Sequence, residues 1–429
     1  MSQRDWGNGG YYQVGTSNTW VAWLSFPTPD GGHKRRVKKI TEPNKKRAKI
    51  RCETELKHLQ RLRDEGIQPA SGDWTVETWI RHWIDTIVKT TRSPGTVDTY
   101  TQRLGARIAP ALGRIRLAEL TAEDIDRWIT QMVQDGLASS TIKSHLTVLR
   151  GALDVAAKRG HVEARIIQGI AAPRQARGTI RKLPLTLEQA DAVLDYAWDA
   201  HPALAVAWTL GLWAGFREGE IAGLRWTDVT PPTVKIRGQI RRYTWEHGCG
   251  EFTNGRWPCC RRRGASCPRR YRFLPPDYDA VHIRGGLWWA PTKTVNSNRD
   301  LPMSVKVQEA LVRWWPIQRQ LWDDPTWVVT DPKGQCAIPA KLNDWWKKDL
   351  AAVGIDPARR SLHAARGSFA TFLLEAGVDQ PTQVGLMGHS KYQTTELYIT
   401  VRDEHMAEAM SKVDQLAKPP AQIGPPTTP

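Results

Sequence analysis

The stretch from residue 71 to 172 constrains the fold most, because its apolar residues recur with the period of an α-helix throughout. In "DWTVETWIRHWIDTIV" they form one continuous stripe, made of Val76, Trp79, Ile80, Trp83, Ile84 and Ile87. Pro94 suits the first turn of a second helix, and Thr121 and Asp124 have the spacing of a capping box. In "STIKSHLTVLRGALDVAAKRG", Leu146 points inward and His145 mostly outward. We therefore predict a compact helical domain over residues 71–172, with basic outer faces.

The segment before it, residues 1–66, has a different pattern. "YYQVG", "TWVAWLSF" and "HKRRVKKI" are strand-like, and a strongly charged helix follows them and ends at Gly66. A three-stranded sheet with one helix has too small a core for much stability alone, but it suffices for a DNA-reading appendage. The alternative is a charged, partly ordered leader.

The segment from 184 to 416 mixes helices with strands, of which "TVKIRGQIRR" and "GLWWAPTK" are the clearest. A basic linker, residues 173–183, precedes it. Residues 417–429 are too rich in proline to pack, which predicts a disordered tail. The fold class expected for the whole chain is therefore multidomain α+β.

The chain is strongly basic, with 61 Lys and Arg against 44 Asp and Glu, a net charge of +17. Such an excess favours a polyanionic partner, nucleic acid above all, over a merely solvated surface. No apolar run approaches the roughly 20 residues that span a bilayer, and the N-terminus lacks a hydrophobic segment. We expect no membrane partner and a reducing cytoplasm, where the six cysteines would be free or metal-bound.

Three short motifs carry polar groups suited to chemistry. "AGFREGEIAGLRWTDV" places Arg217 three residues before Glu220, so that both share a helix face. "APTKTVNSNRDLPM" places Lys293 at the end of a strand, and "SLHAARGSFATFLLEAG" places His363 and Arg366 in the first turns of a helix. Taken singly, these motifs have ordinary interpretations: a surface ion pair, an exposed hairpin lysine and a helix start that attracts anions.

Taken together, the order and spacing of the motifs resemble the catalytic set of the tyrosine recombinase (phage integrase) family. The matching stretches are "GFREGEIAGLRW", "TKT", "HAAR", "MGHS" and "TTELYI", which supply Arg217, Lys293, His363, Arg366, His389 and Tyr398. The resemblance extends loosely over residues 71–415, and the N-terminal unit is similar to the arm-site DNA-binding domain of large integrases. Met387, Gly367 and Ser368 depart from the residues frequent in the family at non-catalytic positions. Tyr392 lies too close to His389 to match the nucleophile.

The resemblance implies a fold and a mechanism. The fold would comprise the arm-type domain, a SAM-like core-binding domain and a mainly helical catalytic domain with a small antiparallel sheet. Tyr398 would attack a DNA phosphorus and form a 3′-phosphotyrosyl bond, while Arg217, Arg366 and His389 hold the phosphate oxygens. His363 would accept the tyrosine proton and Lys293 would protonate the departing 5′ oxygen. No cofactor and no catalytic metal would be required.

The resemblance also implies partners. They are double-stranded DNA at core and arm attachment sites, a homotetramer on DNA, and accessory proteins such as a host DNA-bending protein and an excision factor. The setting would be a phage or mobile element in a bacterial cytoplasm. Two alternatives are a type IB topoisomerase-like activity and a catalytically silent DNA-binding protein, and the arm-like unit and the complete catalytic set argue against them respectively.

A cysteine-containing insertion at about 242–285 separates the strands of the catalytic hairpin. Cys249, Cys259, Cys260 and Cys267, with His247 as an alternative ligand, could hold a structural zinc ion in a loop without a core. The other interpretation is a flexible basic flap with reduced thiols. Cys52 and Cys336 are isolated and are expected to be packing residues.

Overall fold

The computed structural model describes residues 9–27, 33–64, 74–163, 166, 170–173, 183–250, 256–292, 297–323 and 325–388. The chain divides into two units, Met1–Arg177 and Gly178–Pro429. Lys293, His389, Tyr398, the linker segment 174–182 and the predicted tail lie outside the described residues. Within the described residues, no helix is both long and apolar enough to span a bilayer.

The N-terminal part contains the predicted three-stranded sheet and its helix. The antiparallel strands β1 (Gly10–Gln13), β2 (Thr19–Pro27) and β3 (His33–Thr41) pack against α1 (Lys45–Asp64). Its small core includes Trp20, Leu24, Phe26 and Cys52, so that Cys52 is a packing residue as predicted.

The next part is helical, as its periodicity predicts. Its helices are α2 (Val76–Trp83, continued by Ile84–Val88 and Lys89–Thr91), α3 (Pro94–Arg103, continued by Leu104–Ile108 and Ala109–Leu112), α4 (Ala122–Gln134) and α5 (Ser139–Lys158). They enclose one apolar core that contains Trp79, Trp83, Leu146 and Leu153.

Ile87 packs against this core as predicted, but it is only partly buried. Residues 84–88 form a π-helical turn, which holds one extra residue, and Val88 is the residue at the end of this turn that is fully buried. One prediction for this part was wrong. His145 is 2% exposed instead of outward, and its Nδ1 lies 2.9 Å from the Thr141 carbonyl. Burial lowers the pKa of His145, because the charged imidazolium loses its hydration.

The second unit places two small sheets among helices. Its helices are α6 (Leu187–Ala200), α7 (Pro202–Trp213), α8 (Glu218–Gly223), α9 (Val305–Leu321), α10 (Pro339–Ala352), α11 (Leu362–Glu375) and α12 (Gln380–Met387). Its strands are β4 (Val229–Thr230), β5 (Thr233–Ile236), β6 (Gly238–Arg242), β7 (Val281–Arg284), β8 (Leu287–Pro291) and β9 (Arg299–Pro302). α7 runs through the apolar core, where Trp208 packs edge-on against Trp346 and Cys336 is fully buried.

The stretch "TVKIRGQIRR", expected to be strand-like throughout, is two strands in two sheets. β5 pairs with β4 and β9, whereas β6 pairs with β8, which also pairs with β7. The change of partner occurs at Arg237, whose guanidinium contacts Asn298, just before β9, and Asp300 within β9. Pairing partners are long-range contacts, so the local pattern cannot reveal the break.

Candidate active site

The first motif is built on a tight turn between α7 and α8. Gly215 has φ +63°, and a Cβ there would lie 2.5 Å from Phe369, so only glycine fits this position. Gly223, at the other end of α8, lies against β6, where a Cβ would be 2.8 Å from Gln239 Cα. Gly223 thus allows α8 to lie against β6, and Gly215 allows the tight turn that fixes the N-terminus of α8.

Arg217 caps α8 rather than lying within it. Its backbone N–H donates to Glu220 Oε2 across 3.0 Å, and its Nη1 lies 2.6 Å from Glu220 Oε1. Nη1 is also 3.3 Å from the Ser297 hydroxyl, and Nη2 donates to the Gly388 carbonyl across 3.2 Å. The predicted Arg217–Glu220 pair therefore forms, and it connects three separate segments of the chain.

Arg299 is a member of this cluster that the sequence analysis missed. Its Nη2 lies 3.4 Å from Glu220 Oε2, its Nη1 donates to the Ser297 carbonyl, and its Nε donates to the Leu386 carbonyl across 3.1 Å. Its side chain is 8% exposed. Arg299 follows an ordinary polar turn in the sequence, and nothing local marks its guanidinium as buried.

Arg366 is fully buried in the second turn of α11. One of its Nη atoms donates to the Gly215 carbonyl and the other to the Met387 carbonyl. The first bond holds the turn that leads into Arg217, and the second holds the end of α12. Arg366 therefore joins the first and third motifs directly.

Three arginines thus bind three successive carbonyls at the C-terminus of α12. Arg299 binds Leu386, Arg366 binds Met387, and Arg217 binds Gly388, which ends the helix in the left-handed conformation at φ +59°. The last carbonyls of a helix lack intrahelical partners and carry partial negative charge, which cations stabilise. An arginine side chain consequently binds the carbonyl of each of the three residues that immediately precede His389.

The electrostatics of the cluster centre on Glu220, whose side chain is 1% exposed. Burial acts to raise the pKa of Glu220, but the guanidiniums of Arg299, Arg217 and Arg366 outweigh it and hold that pKa below its usual range. Burial lowers the pKa of Arg299, although Glu220 opposes this effect. One carboxylate thus offsets part of the charge of three cations, and a net positive site remains.

His363 and Arg217 line the same open cleft, of about 410 Å³. Its other polar lining residues include Gln239, Arg241 and Arg242, from β6. A cleft with arginines and an imidazole at its wall suits a phosphate-bearing ligand. Among the predicted catalytic residues in the described part of the chain, Arg217 and His363 line this cleft, while Arg366 is fully buried and does not line it.

The cysteine insertion lies between β6 and β7 and brings four potential metal ligands together. They are His247, Cys249, Cys259 and Cys267, whose ligand atoms lie within 4.8 Å of one another. Cys260 is exposed and outside this group, contrary to its place in the predicted ligand set. Its backbone is left-handed, at φ +54°, and its Sγ lies 3.9 Å from the Pro258 carbonyl.

Two family descriptions match this sequence. Residues 277–405 match the phage integrase family, and residues 75–133 match its N-terminal SAM-like domain. The first match spans the second and third motifs, and Arg217 of the first motif binds the carbonyl at Gly388 within the matched range. The chain belongs to the phage integrase family of tyrosine recombinases.

Whole-chain relatives agree with this assignment. The recombinase is 28% identical to an integrase of Saccharopolyspora erythraea over 84% of its own chain and 86% of that protein. It is 25% identical to the tyrosine recombinase XerC of Ralstonia pickettii, over 76% of this chain and 90% of that one. Its activity is therefore that of a site-specific DNA recombinase.

Solved structures confirm the predicted fold class. The Tn1549 transposon integrase, solved with circular intermediate DNA, has a TM-score of 0.61 at 16% identity, covering 80% of this chain and all of that one. A lambda integrase dimer bound to a core site has a TM-score of 0.52 at 15% identity. The match covers 93% of this chain and 97% of the lambda integrase chain. At these identities the likeness concerns the fold alone.

Proposed function

We propose that this recombinase cleaves and rejoins DNA through a covalent bond between Tyr398 and a 3′ phosphate, and so integrates or excises a phage or mobile element. The Tyr398 oxygen bonds to phosphorus as the bond from phosphorus to the 5′ oxygen breaks. The tyrosine proton passes to His363, and Lys293 supplies a proton to the departing 5′ oxygen. Attack by a 5′ hydroxyl of a second duplex reverses the step and exchanges strands.

The observation that carries the proposal is the joint placement of Arg217 and His363 in one cleft, beside the helix end that leads to His389. A phosphodiester resists attack because the charge on its free oxygens grows toward the transition state. A guanidinium donates paired hydrogen bonds to such oxygens, with a geometry that an ammonium group cannot match. Removing one such donor typically costs about 10²–10³-fold in rate.

The energy of the broken bond is retained in the phosphotyrosyl bond, so the reaction needs no nucleotide cofactor. The net charge of +17 supports a DNA partner whose binding falls steeply with salt. The N-terminal sheet would read arm sites and the helical part would read core sites. One related structure is a lambda integrase tetramer on a Holliday junction, which supports a tetrameric assembly here.

The accessory factors and the cellular setting form the remaining part of the proposal. A host DNA-bending protein would assist integration, and an excision factor would set direction. The reaction would take place in a bacterial cytoplasm, because that is where its DNA substrate lies.

A nicked suicide substrate that carries an attachment site tests the proposal. The protein is expected to form a covalent adduct that survives denaturation, and Tyr398→Phe to form none. Tyr392→Phe is the matched control, six residues away, and should form adduct normally. Adduct formation by Tyr398→Phe would disprove the assignment of the nucleophile.

The same assay separates the alternatives. Supplying two attachment sites should yield recombinant DNA. Adduct without any recombinant would favour the topoisomerase-like activity, and DNA binding without adduct would favour the catalytically silent protein. Arg217→Lys keeps the positive charge but loses the paired hydrogen bonds, so adduct formation should slow by about 10²-fold or more.

A further inference from the structure

The insertion between β6 and β7 forms a lobe with almost no apolar interior of its own. We define the lobe as residues 244–272. Among its described residues, Cys267 is the one side chain that is fully buried, at 1% exposure. The apolar contacts of Tyr243, Trp245 and Trp288 lie at its base, against β8. A segment without a core needs another source of order.

Four side chains converge inside this lobe. His247 Nδ1 lies 3.4 Å from Cys259 Sγ and 3.8 Å from Cys249 Sγ, and all four potential ligand atoms lie within 4.8 Å of one another. Zinc bonds of about 2.3 Å to sulfur and about 2.0–2.1 Å to nitrogen, at tetrahedral angles, imply S···N separations of about 3.6 Å. The observed separations bracket this value.

The surroundings of the four side chains fix their orientation. The His247 ring stacks on Trp257, with centroids 4.3 Å apart and planes 8° apart, and its Nδ1 faces the sulfurs of Cys249 and Cys259. The neighbouring Gly248 lies so close to the Arg269 carbonyl that no Cβ would fit there. The segment with His247 and Cys249 therefore packs against the segment with Cys267.

Backbone N–H groups are directed at two of the sulfurs. Cys267 receives those of Gly248 and Arg269, and Cys259 receives that of Arg261. In both Cys259-Cys260-Arg261 and Cys267-Pro268-Arg269 the donor follows the cysteine by two residues. N–H donors to sulfur satisfy the negative charge that a thiolate carries when it binds a metal.

We propose that His247, Cys249, Cys259 and Cys267 bind one zinc ion in a tetrahedral Cys₃His site that holds the lobe folded. The donor set is closed, with four protein ligands, which is the composition of structural rather than catalytic zinc sites. The role is therefore to cross-link two segments of the lobe, residues 247–249 and 259–267, whose own apolar contacts are too few to order them.

Adjacent cysteines provide a matched test. Untagged full-length protein, purified without chelators, should contain one zinc ion per chain by elemental mass spectrometry. Cys259→Ser should lose most of the zinc, whereas Cys260→Ser should keep it, because Cys260 lies outside the cluster. Equal loss in both variants, protein purified free of zinc, or a different bound metal would overturn the proposal.

Two further measurements guard against a misfolded variant. Cobalt substituted for zinc should give the intense visible bands of a tetrahedral thiolate site in the native protein and in Cys260→Ser, but not in Cys259→Ser. Trypsin should cut the lobe rapidly at Arg256 and Arg261–Arg263 after zinc removal, while circular dichroism of the helices is unchanged. Cleavage at the same rate with and without zinc would exclude a structural role, whatever the outcome of the adduct assay.

Discussion

Glu220 and Arg299 form an ion pair across 3.4 Å, and both side chains are more than nine-tenths buried. The same carboxylate pairs with Arg217, and Arg299 extends to the carbonyl of Leu386. One acidic group therefore aligns two of the arginines that bind the end of α12. Since both arginines reach this helix end, their geometry determines where the chain leaves it toward His389.

Glu220→Gln removes this charge and should destabilise the protein strongly. Breaking a buried pair by deleting one partner costs about 3–5 kcal/mol, because the remaining charges stay buried without compensation. Chemical denaturation followed by tryptophan fluorescence measures the loss. Glu309→Gln, at an exposed position on α9, should change stability by less than about 0.5 kcal/mol. Equal effects of the two substitutions would contradict the role of Glu220.

The lowered pKa of Glu220 predicts the direction of the pH dependence. A carboxyl group with a lower pKa in the folded than in the unfolded chain stabilises the fold above its unfolded value, about 4.3. That contribution is lost as the pH falls through the folded pKa. The melting temperature of the native protein should therefore fall more steeply than that of Glu220→Gln once the pH is lowered below about 4.3. Parallel curves would show that Glu220 is not the titrating group.

Arg299→Lys should slow covalent adduct formation while DNA affinity stays almost unchanged. A lysine cannot bind Glu220, Ser297 and Leu386 at once, so the end of α12 would shift. Displacement of about 1 Å at a reaction centre can cost about 10²-fold in rate. The control is Arg237→Lys, an arginine that contacts Asn298 and Asp300 on a more exposed surface, and its rate should stay within about twofold. A loss of DNA binding in parallel with activity would argue for a direct DNA contact instead.

Gly215→Ala should destabilise the catalytic unit more than Gly377→Ala. Both glycines have positive φ, +63° and +72°, so both substitutions carry the backbone penalty of about 1–2 kcal/mol. At Gly215 the new methyl group would also lie 2.5 Å from Phe369, whereas nothing lies within 4 Å at Gly377. Overpacking of this kind adds about 1–3 kcal/mol. Equal shifts in the denaturation midpoint would show that the turn relaxes freely.

If the proposed recombination is correct, the exposed arginines of the lobe (residues 244–272) should contribute to the salt dependence of DNA binding. Arg261, Arg262 and Arg263 are exposed and consecutive. Replacing all three by glutamine should weaken binding at every DNA sequence and reduce the slope of log K against log salt. The slope should fall by about 0.9 for each phosphate that these arginines neutralise in the native complex, and fluorescence anisotropy measures it. An unchanged slope would place the lobe away from DNA.

The sequence predicted the local part of the site and missed its long-range part. Arg217 and Glu220 are three residues apart, so helical spacing suffices to pair them. Arg299 lies 79 residues from Glu220 and 87 from Leu386, and no local pattern connects such distant residues. The roles of Lys293, His389 and Tyr398 remain predictions from the family resemblance.

The cysteine insertion shows a second limit of prediction from sequence. Cysteine count favoured Cys260 as the fourth ligand, but its side chain is exposed and its thiol lies outside the cluster. His247 takes the fourth position in the cluster, and sequence alone could offer it only as an alternative. The folded arrangement of the insertion, rather than residue type, decides between the two.

The apolar cores described above are each drawn from one continuous stretch of chain: residues 11–59, 74–172 and 185–386. A gene exchange with its breakpoint between two of these stretches would leave every core intact. If the proposed function is correct, such an exchange would replace a DNA-reading domain and leave the catalytic domain unaltered, so that the recombined protein would act at new DNA sites.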